Sequence, residues 1–93
     1  MPADLAIRHD TAAGRFETRI DGELARCDYR LHNGVMLLFH TEVPAAAEGR
    51  GVGAALVRAA LEHAAAAGLR VRPQCSFVAA YLRRHPEYRR LLG

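Results

Sequence analysis

The sequence predicts an α+β, or mixed α/β, layer fold: four antiparallel strands, a long helix, a strand of parallel type and a second main helix. Three observations predict it. Apolar and charged residues alternate through the first half of the chain, interrupted by the hairpin signals Asp21-Gly22 and Asn33-Gly34. The pattern then changes to helical spacing from Arg50 to Ala67, closed by Gly68. A short strand and another helical segment follow, an order that builds a sheet with helices packed on it.

Leu5-Ala6-Ile7 reads as a short first strand, ended by the turn Asp10-Thr11-Ala12-Ala13-Gly14. Phe16, Thr18 and Ile20 then alternate with charged neighbours as a second strand with one wet face. After Asp21-Gly22, Ala25, Cys27, Tyr29 and Leu31 are expected to face inward, with Arg26, Asp28 and Arg30 facing out. The run 35–43 is apolar on both faces for most of its length and reads as the central strand. Strict alternation puts His40 and Glu42 on the face of Met36 and Leu38, with Leu37, Phe39 and Val43 opposite.

Val52, Leu56, Ala59, Ala60 and His63 recur along one stripe of the long helix, whose alanines supply propensity. Leu69-Arg70-Val71-Arg72 reads as a strand before Pro73. Ser76 is placed to cap a helix carrying Phe77, Val78, Tyr81 and Leu82, and Pro86 ends it. A last turn over 86–92 would dock Tyr88, Leu91 and Leu92 on the core.

At 93 residues, about half of them hydrophobic, the chain fits one domain over 1–93 with a single core. Its net charge is +3, but residues 70–93 hold six arginines against Glu87 alone, while residues 1–69 hold seven arginines against nine acids. A basic end suits an anionic ligand or a solvated face. Lysine is absent, so the chain cannot be acylated on lysine side chains of its own. Cys27 and Cys75 lack the neighbours of a zinc site, and the histidines and acids show no metal-ligand spacing, so no metal is expected. With neither a signal peptide nor a bilayer-length apolar run, a cytoplasmic, reduced protein is the expectation.

The most informative segment is Glu48-Gly49-Arg50-Gly51-Val52-Gly53, between the apolar strand and the long helix. Glycines free backbone N–H groups to converge on an anion at a helix N-terminus. No Gly-Lys-Ser/Thr is present, and four antiparallel strands precede the loop, so neither a nucleoside-triphosphate loop nor a dinucleotide-binding βαβ unit is indicated. Cys75 lies between a strand and a helix start, where the helix dipole stabilises a thiolate. His40 suits a general base, since an unperturbed imidazole takes and releases a proton around neutrality.

The loop resembles the acetyl-coenzyme A loop of the GNAT superfamily of N-acetyltransferases, Arg/Gln-X-X-Gly-X-Gly/Ala. Gly51 and Gly53 match its last two fixed positions, and Glu48 departs from the Arg/Gln position. His40-Thr41-Glu42-Val43-Pro44, the loop, Pro73-Gln74-Cys75-Ser76-Phe77-Val78, Tyr81 and His85-Pro86-Glu87-Tyr88 together resemble the minimal GNAT-like subfamily of about a hundred residues, over 4–92.

The resemblance implies an acetyl-coenzyme A-dependent N-acetyltransferase. The pyrophosphate would rest on the N–H groups of Gly49, Arg50, Gly51, Val52, Gly53 and Ala54. The pantetheine arm would lie between the strands holding Thr41, Glu42 and Val43 and 71–73, with a backbone N–H near Val43 for the oxyanion. The thioester would end near His40, Glu42 and Cys75. Cys75 and His40 are then the suspected active pair, with Glu42 as a second base. Tyr81 would protonate the leaving thiolate, and Arg84, with Arg83, would face the adenosine 3′-phosphate.

Relative to a typical GNAT domain the chain lacks a helical segment that walls the acceptor site, which suits a protein or peptide amine. Two other classes stay open: a coenzyme A-binding module without catalysis, and a nucleic-acid binder. The second is disfavoured by the lack of an aromatic stacking platform.

Overall fold

The computed structural model describes residues 5–93. One five-stranded sheet in the order β1-β2-β3-β4-β5 carries the chain. Its strands are β1 (Arg8–Asp10), β2 (Arg15–Ile20), β3 (Glu23–His32), β4 (Val35–Glu42) and β5 (Arg70–Pro73). The first three pairings are antiparallel and β4–β5 is parallel, connected through α1 (Val52–Ala67). α2 (Ser76–Arg84) and a 3-10 helix, Pro86–Leu91, complete the chain. Four antiparallel strands followed by a parallel one, with two main helices, is the fold class read from the sequence. The middle of the sheet is β3, not the 35–43 strand.

The first strand lies three residues later than expected. Its turn sets the register: Gly14 N–H donates to the Asp10 carbonyl and Ala13 N–H to Asp10 Oδ1, which puts Arg8–Asp10 opposite 15–17. Leu5 and Ile7 stay outside the ladder but pack on the core, and the Ala6 carbonyl accepts from Thr18 Oγ1. Gly14 has φ +73°, and a Cβ there would come within 2.9 Å of the Tyr29 carbonyl, so glycine is required at this turn.

One face of the sheet is buried, by Phe16, Ala25, Cys27, Tyr29, Met36, Leu38 and Val71 against Leu56, Val57, Leu61, Val78 and Leu82 of the helices. Burying a side chain such as Leu56 stabilises by roughly 1.5–3 kcal/mol. Leu31, expected inside, is 58% exposed, although its cross-strand partner Met36 is fully buried. Phe39 on the open face is also exposed, with the Arg30 guanidinium over its ring at 4.9 Å. Among the described residues, no helix is long and apolar enough to cross a membrane.

The decisive irregularity is in β4. Asp28 pairs with His40 and the next residue, Tyr29, with Leu38, so Phe39 is an extra residue bulged out of the ladder. A bulge reverses the alternation beyond it. Thr41 therefore joins the buried face of Leu38, while His40 and Glu42 turn to the open face. The sequence expectation for His40 and Glu42 is corrected here, because strict alternation has no place for an inserted residue.

α1 starts two residues after Arg50, at Val52, following Gly51 with φ +80°, and ends at Gly68 with φ +71°, whose N–H donates to the Ala64 and Ala65 carbonyls. The N-cap of α2 is Cys75 rather than Ser76, since the Cys75 carbonyl accepts the first turn's bond from Ala79 N–H. That one-residue difference sets a thiol, not a hydroxyl, over the helix start. In the final 3-10 helix Tyr88 and Leu91 are buried, but Leu92 is exposed and bridges Val71.

Candidate active site

After β4, Pro44 leads into a 3-10 turn, Ala45–Ala47, and then the glycine loop. Glu48 N–H donates to the Ala45 carbonyl and Arg50 N–H to the Ala47 carbonyl. Gly49 (φ +81°) and Gly51 (φ +80°) take left-handed conformations that turn the chain into α1. Among the described residues, the N–H groups of Gly49, Gly51, Val52, Gly53 and Ala54 have no backbone acceptor. Arg50 is the exception within the expected cradle.

These residues border a cleft of about 470 Å3, lined by Thr41, Val43, Glu48, Gly49, Gly51, Val52, Gly53 and Ala54, with Ala47 and Phe77. A Cβ on Gly53 would come within 2.8 Å of Phe77 Cζ and 3.4 Å of Val43 Cγ2, so this glycine lets α1 and α2 close on one another. Phe77 is 43% exposed at the cleft, although its spacing along the sequence matches an ordinary core stripe. Arg50 is exposed in the loop, and Arg84 is exposed in the last turn of α2, where it complements the helix dipole.

The β4–β5 ladder stops at Leu38·Pro73, followed by one bond from Gln74 N–H to the Leu38 carbonyl. Beyond it, β4 runs on to Glu42 while the other chain turns into α2. Thr41 and Cys75 meet across this parting: Cys75 Sγ donates to Thr41 Oγ1 at 3.7 Å, and Thr41 Oγ1 donates to Cys27 Sγ at 4.0 Å.

The protonated Cys75 thiol makes no cap bond to α2. Partial burial opposes its ionisation, but the N–H of Val78, the Thr41 hydroxyl, and the N–H groups of Phe77 and Thr41 outweigh it. The result is a thiol that ionises below the ordinary range. Cys27, enclosed in the core, is pushed up to about 12 by burial despite its Thr41 contact. Two cysteines that share one threonine thus differ in chemistry because one faces a helix start and the other faces side chains of the core.

On the open face, His40 Nε2 donates to Glu42 Oε1 at 3.1 Å, which leaves Nδ1 as the proton-accepting nitrogen. Arg26 Nη2 donates to the same Glu42 oxygen at 3.2 Å, and Arg26 Nη1 to Asp28 Oδ2 at 2.8 Å. His40 and Arg26 hold the Glu42 carboxyl below its usual range. In the sequence Arg26 and Asp28 show only as outward-facing charges. Their part in this cluster depends on cross-strand register, with Arg26 opposite Glu42 and Asp28 opposite His40.

His40 is therefore not paired with Cys75; the two stand at opposite faces of β4. Tyr81 makes no side-chain hydrogen bond to either among the described residues; it is buried and stacked on His85 at 3.9 Å, with Tyr88 at 6.3 Å. Its hydroxyl is held above the ordinary range chiefly by burial.

The sheet parts beside a glycine loop, with a thiol on one face and a histidine–carboxylate pair on the other, groups of the kind that acyl transfer uses. A sequence profile of GCN5-related N-acetyltransferases matches residues 15–91. The fold is also similar to the solution NMR structure of a GCN5-like protein from Staphylococcus aureus, with TM-score 0.73 and 26% identity. The match covers 98% of this chain and 90% of that one. The chain belongs to the GCN5-related N-acetyltransferase family, and is an acyltransferase of that family.

Proposed function

We propose that the enzyme transfers an acetyl group from acetyl-coenzyme A to a primary amine carried by a protein or peptide. The observation that carries this reading is the meeting of the glycine cradle with the parted strands at Thr41 and Cys75. Five unpaired N–H groups at the head of α1 suit a pyrophosphate. The cleft beside them has room for the adjoining arm, and the edge of β4 beyond Leu38 that β5 leaves unpaired offers backbone groups to its amides.

Acyl transfer to an amine needs a base, a polarised thioester and a proton for the leaving sulfur. His40 Nδ1 takes one proton from the acceptor's ammonium, and Glu42 holds the imidazole through Nε2. The freed nitrogen lone pair forms the bond to the thioester carbonyl carbon. As the carbon–sulfur bond breaks, the leaving thiolate takes the second nitrogen proton. His40 and Glu42 are open to solvent, with side chains 46% and 58% exposed, which favours an acceptor presented on a larger molecule.

A second reading is favoured by the helix-capping position of Cys75: its thiolate takes the acetyl group first and passes it to the amine. Turnover separates the two. On the direct route His40→Ala lowers kcat by about 10²–10⁴-fold while Cys75→Ala keeps turnover, and labelled acetyl-coenzyme A leaves no label on Cys75. Label on Cys75 together with loss of turnover in Cys75→Ala would overturn the direct route. Retention of turnover in both His40→Ala and Glu42→Gln would remove the base.

A further inference from the structure

The open-face cluster contains one oxygen with nothing to do. Asp28 is only 8% exposed, and its Oδ2 is taken by Arg26, yet Oδ1 is buried without a hydrogen-bond partner among the described residues. Buried carboxylate oxygens are ordinarily satisfied, so an orphan of this kind marks a donor supplied from elsewhere. Its cross-strand neighbours do not supply it. Arg15, on β2, gives its Nε to Glu17 at 2.6 Å, and His40, on β4, gives its Nε2 to Glu42.

The surroundings specify the missing donor. Arg26 links Asp28 and Glu42, and His40 bonds the same Glu42 oxygen, so Asp28 is joined to the proton-accepting pair through one guanidinium. Asp28 and Glu42 share the Arg26 guanidinium, and Arg15, across from Asp28, is matched by Glu17, so carboxylates outnumber guanidiniums by one while His40 is neutral. A cation that carries several N–H donors fits that balance, and a primary ammonium has three. The cluster also lies beside the Phe39 bulge, where β4 and β5 part, and it opens to solvent at His40 and Glu42.

We propose that Asp28 Oδ1 seats the ammonium group of the acceptor, so that the substrate is a primary amine that arrives charged. Asp28 binds the cation and does not take its proton; Arg26 is a positioning residue that fixes the carboxylate. The inference rests on the reading of His40 and Glu42 as the proton-accepting pair.

The test titrates isotope-labelled protein, saturated with coenzyme A, with an end-blocked Gly-Lys-Gly peptide and with its norleucine counterpart, followed by NMR. The lysine peptide should move the Asp28 carboxyl carbon and the amides of residues 26–28 and 40–42, and the norleucine peptide should not. Asp28→Asn should weaken the lysine peptide by about tenfold or more, with its coenzyme A affinity unchanged. Equal responses to the two peptides, or undiminished lysine-peptide binding by Asp28→Asn, would overturn the assignment. Should Asp28→Asn not fold, an unmoved Asp28 carboxyl carbon in the parent protein overturns it alone. Failure of the parent to bind coenzyme A counts against the proposed function instead, and the same titration without coenzyme A still reads the anchor.

Discussion

Thr41 and Cys75 face each other across the gap where β4 leaves β5, with Oγ1 and Sγ 3.7 Å apart. Thr41 reaches this position only because the Phe39 bulge reverses the strand's alternation. The contact joins β4 to the start of α2, the two elements between which the proposed thioester arm would pass, and it couples the ionisation of Cys75 to β4.

The two thiols should be distinguishable by rate. Alkylation by iodoacetamide, followed by mass spectrometry across pH, should label Cys75 with a midpoint below that of an ordinary thiol, and leave Cys27 unlabelled in the folded protein. Thr41→Val should raise the Cys75 midpoint, because it removes a hydroxyl that favours the thiolate. A midpoint unchanged by that substitution would mean that the helix start alone controls Cys75.

Gly53→Ala tests the closeness of α1 and α2. The added Cβ would lie 2.8 Å from Phe77 Cζ, so the ring must swing out of its place in the cleft. A loss of about 1–3 kcal/mol in denaturant unfolding is expected, the cost of overpacking. Gly53→Ala, Phe77→Ala should recover part of that loss, and additive losses would contradict the contact.

The pH dependence of stability should carry the signature of His9. Its ring stacks on Phe16 at 4.1 Å, meets His63 at 4.5 Å and bonds the Tyr29 hydroxyl. Burial, then the neighbouring His63, lower its pKa against a smaller opposing effect of Asp10. With the folded value below the unfolded one, the unfolded chain binds the proton first as the pH drops. The contribution is therefore complete above about pH 6.5 and is lost as pH falls through the folded value. Thermal melts between about pH 7 and 5 should show this loss, and His9→Gln should flatten it.

Tyr88 ties the last 3-10 helix to α1 through its hydroxyl bond to Glu62, and burial with that bond pushes its pKa up to about 12. Tyr88→Phe keeps the buried ring and returns Glu62 to water. A loss of about 1 kcal/mol is expected in chemical unfolding. A loss as large as that of a core truncation, about 3–5 kcal/mol, would show that the bond organises the C-terminal packing as well.

Much of this architecture is legible in residue patterns, since Asp21-Gly22, Asn33-Gly34 and Gly68 punctuate elements whose periods are clear. The glycine loop is legible as a turn into the long helix, because the left-handed conformations at Gly49 and Gly51 are local. The bulge at Phe39 was not: an inserted residue leaves hydrophobicity unchanged while reversing every side chain after it, so His40 and Glu42 were assigned to the wrong face. The Asp28–Arg26–Glu42–His40 cluster and the Cys27–Thr41–Cys75 chain join residues from separate strands. They depend on register, and no spacing along the sequence encodes it. Cys75 itself was legible by position, although its exact place as N-cap came from backbone geometry at Ala79.

Calorimetry with coenzyme A and acetyl-coenzyme A, on the parent chain and on Gly51→Val, tests the central claim most directly. Gly51 sits at φ +80°, where valine is strained, so the substitution should disturb the N–H groups at the head of α1. The parent should bind both ligands, and Gly51→Val should bind them at least about tenfold more weakly while still folding. No binding by the parent, or affinity untouched by the valine, would contradict a cradle at the head of α1.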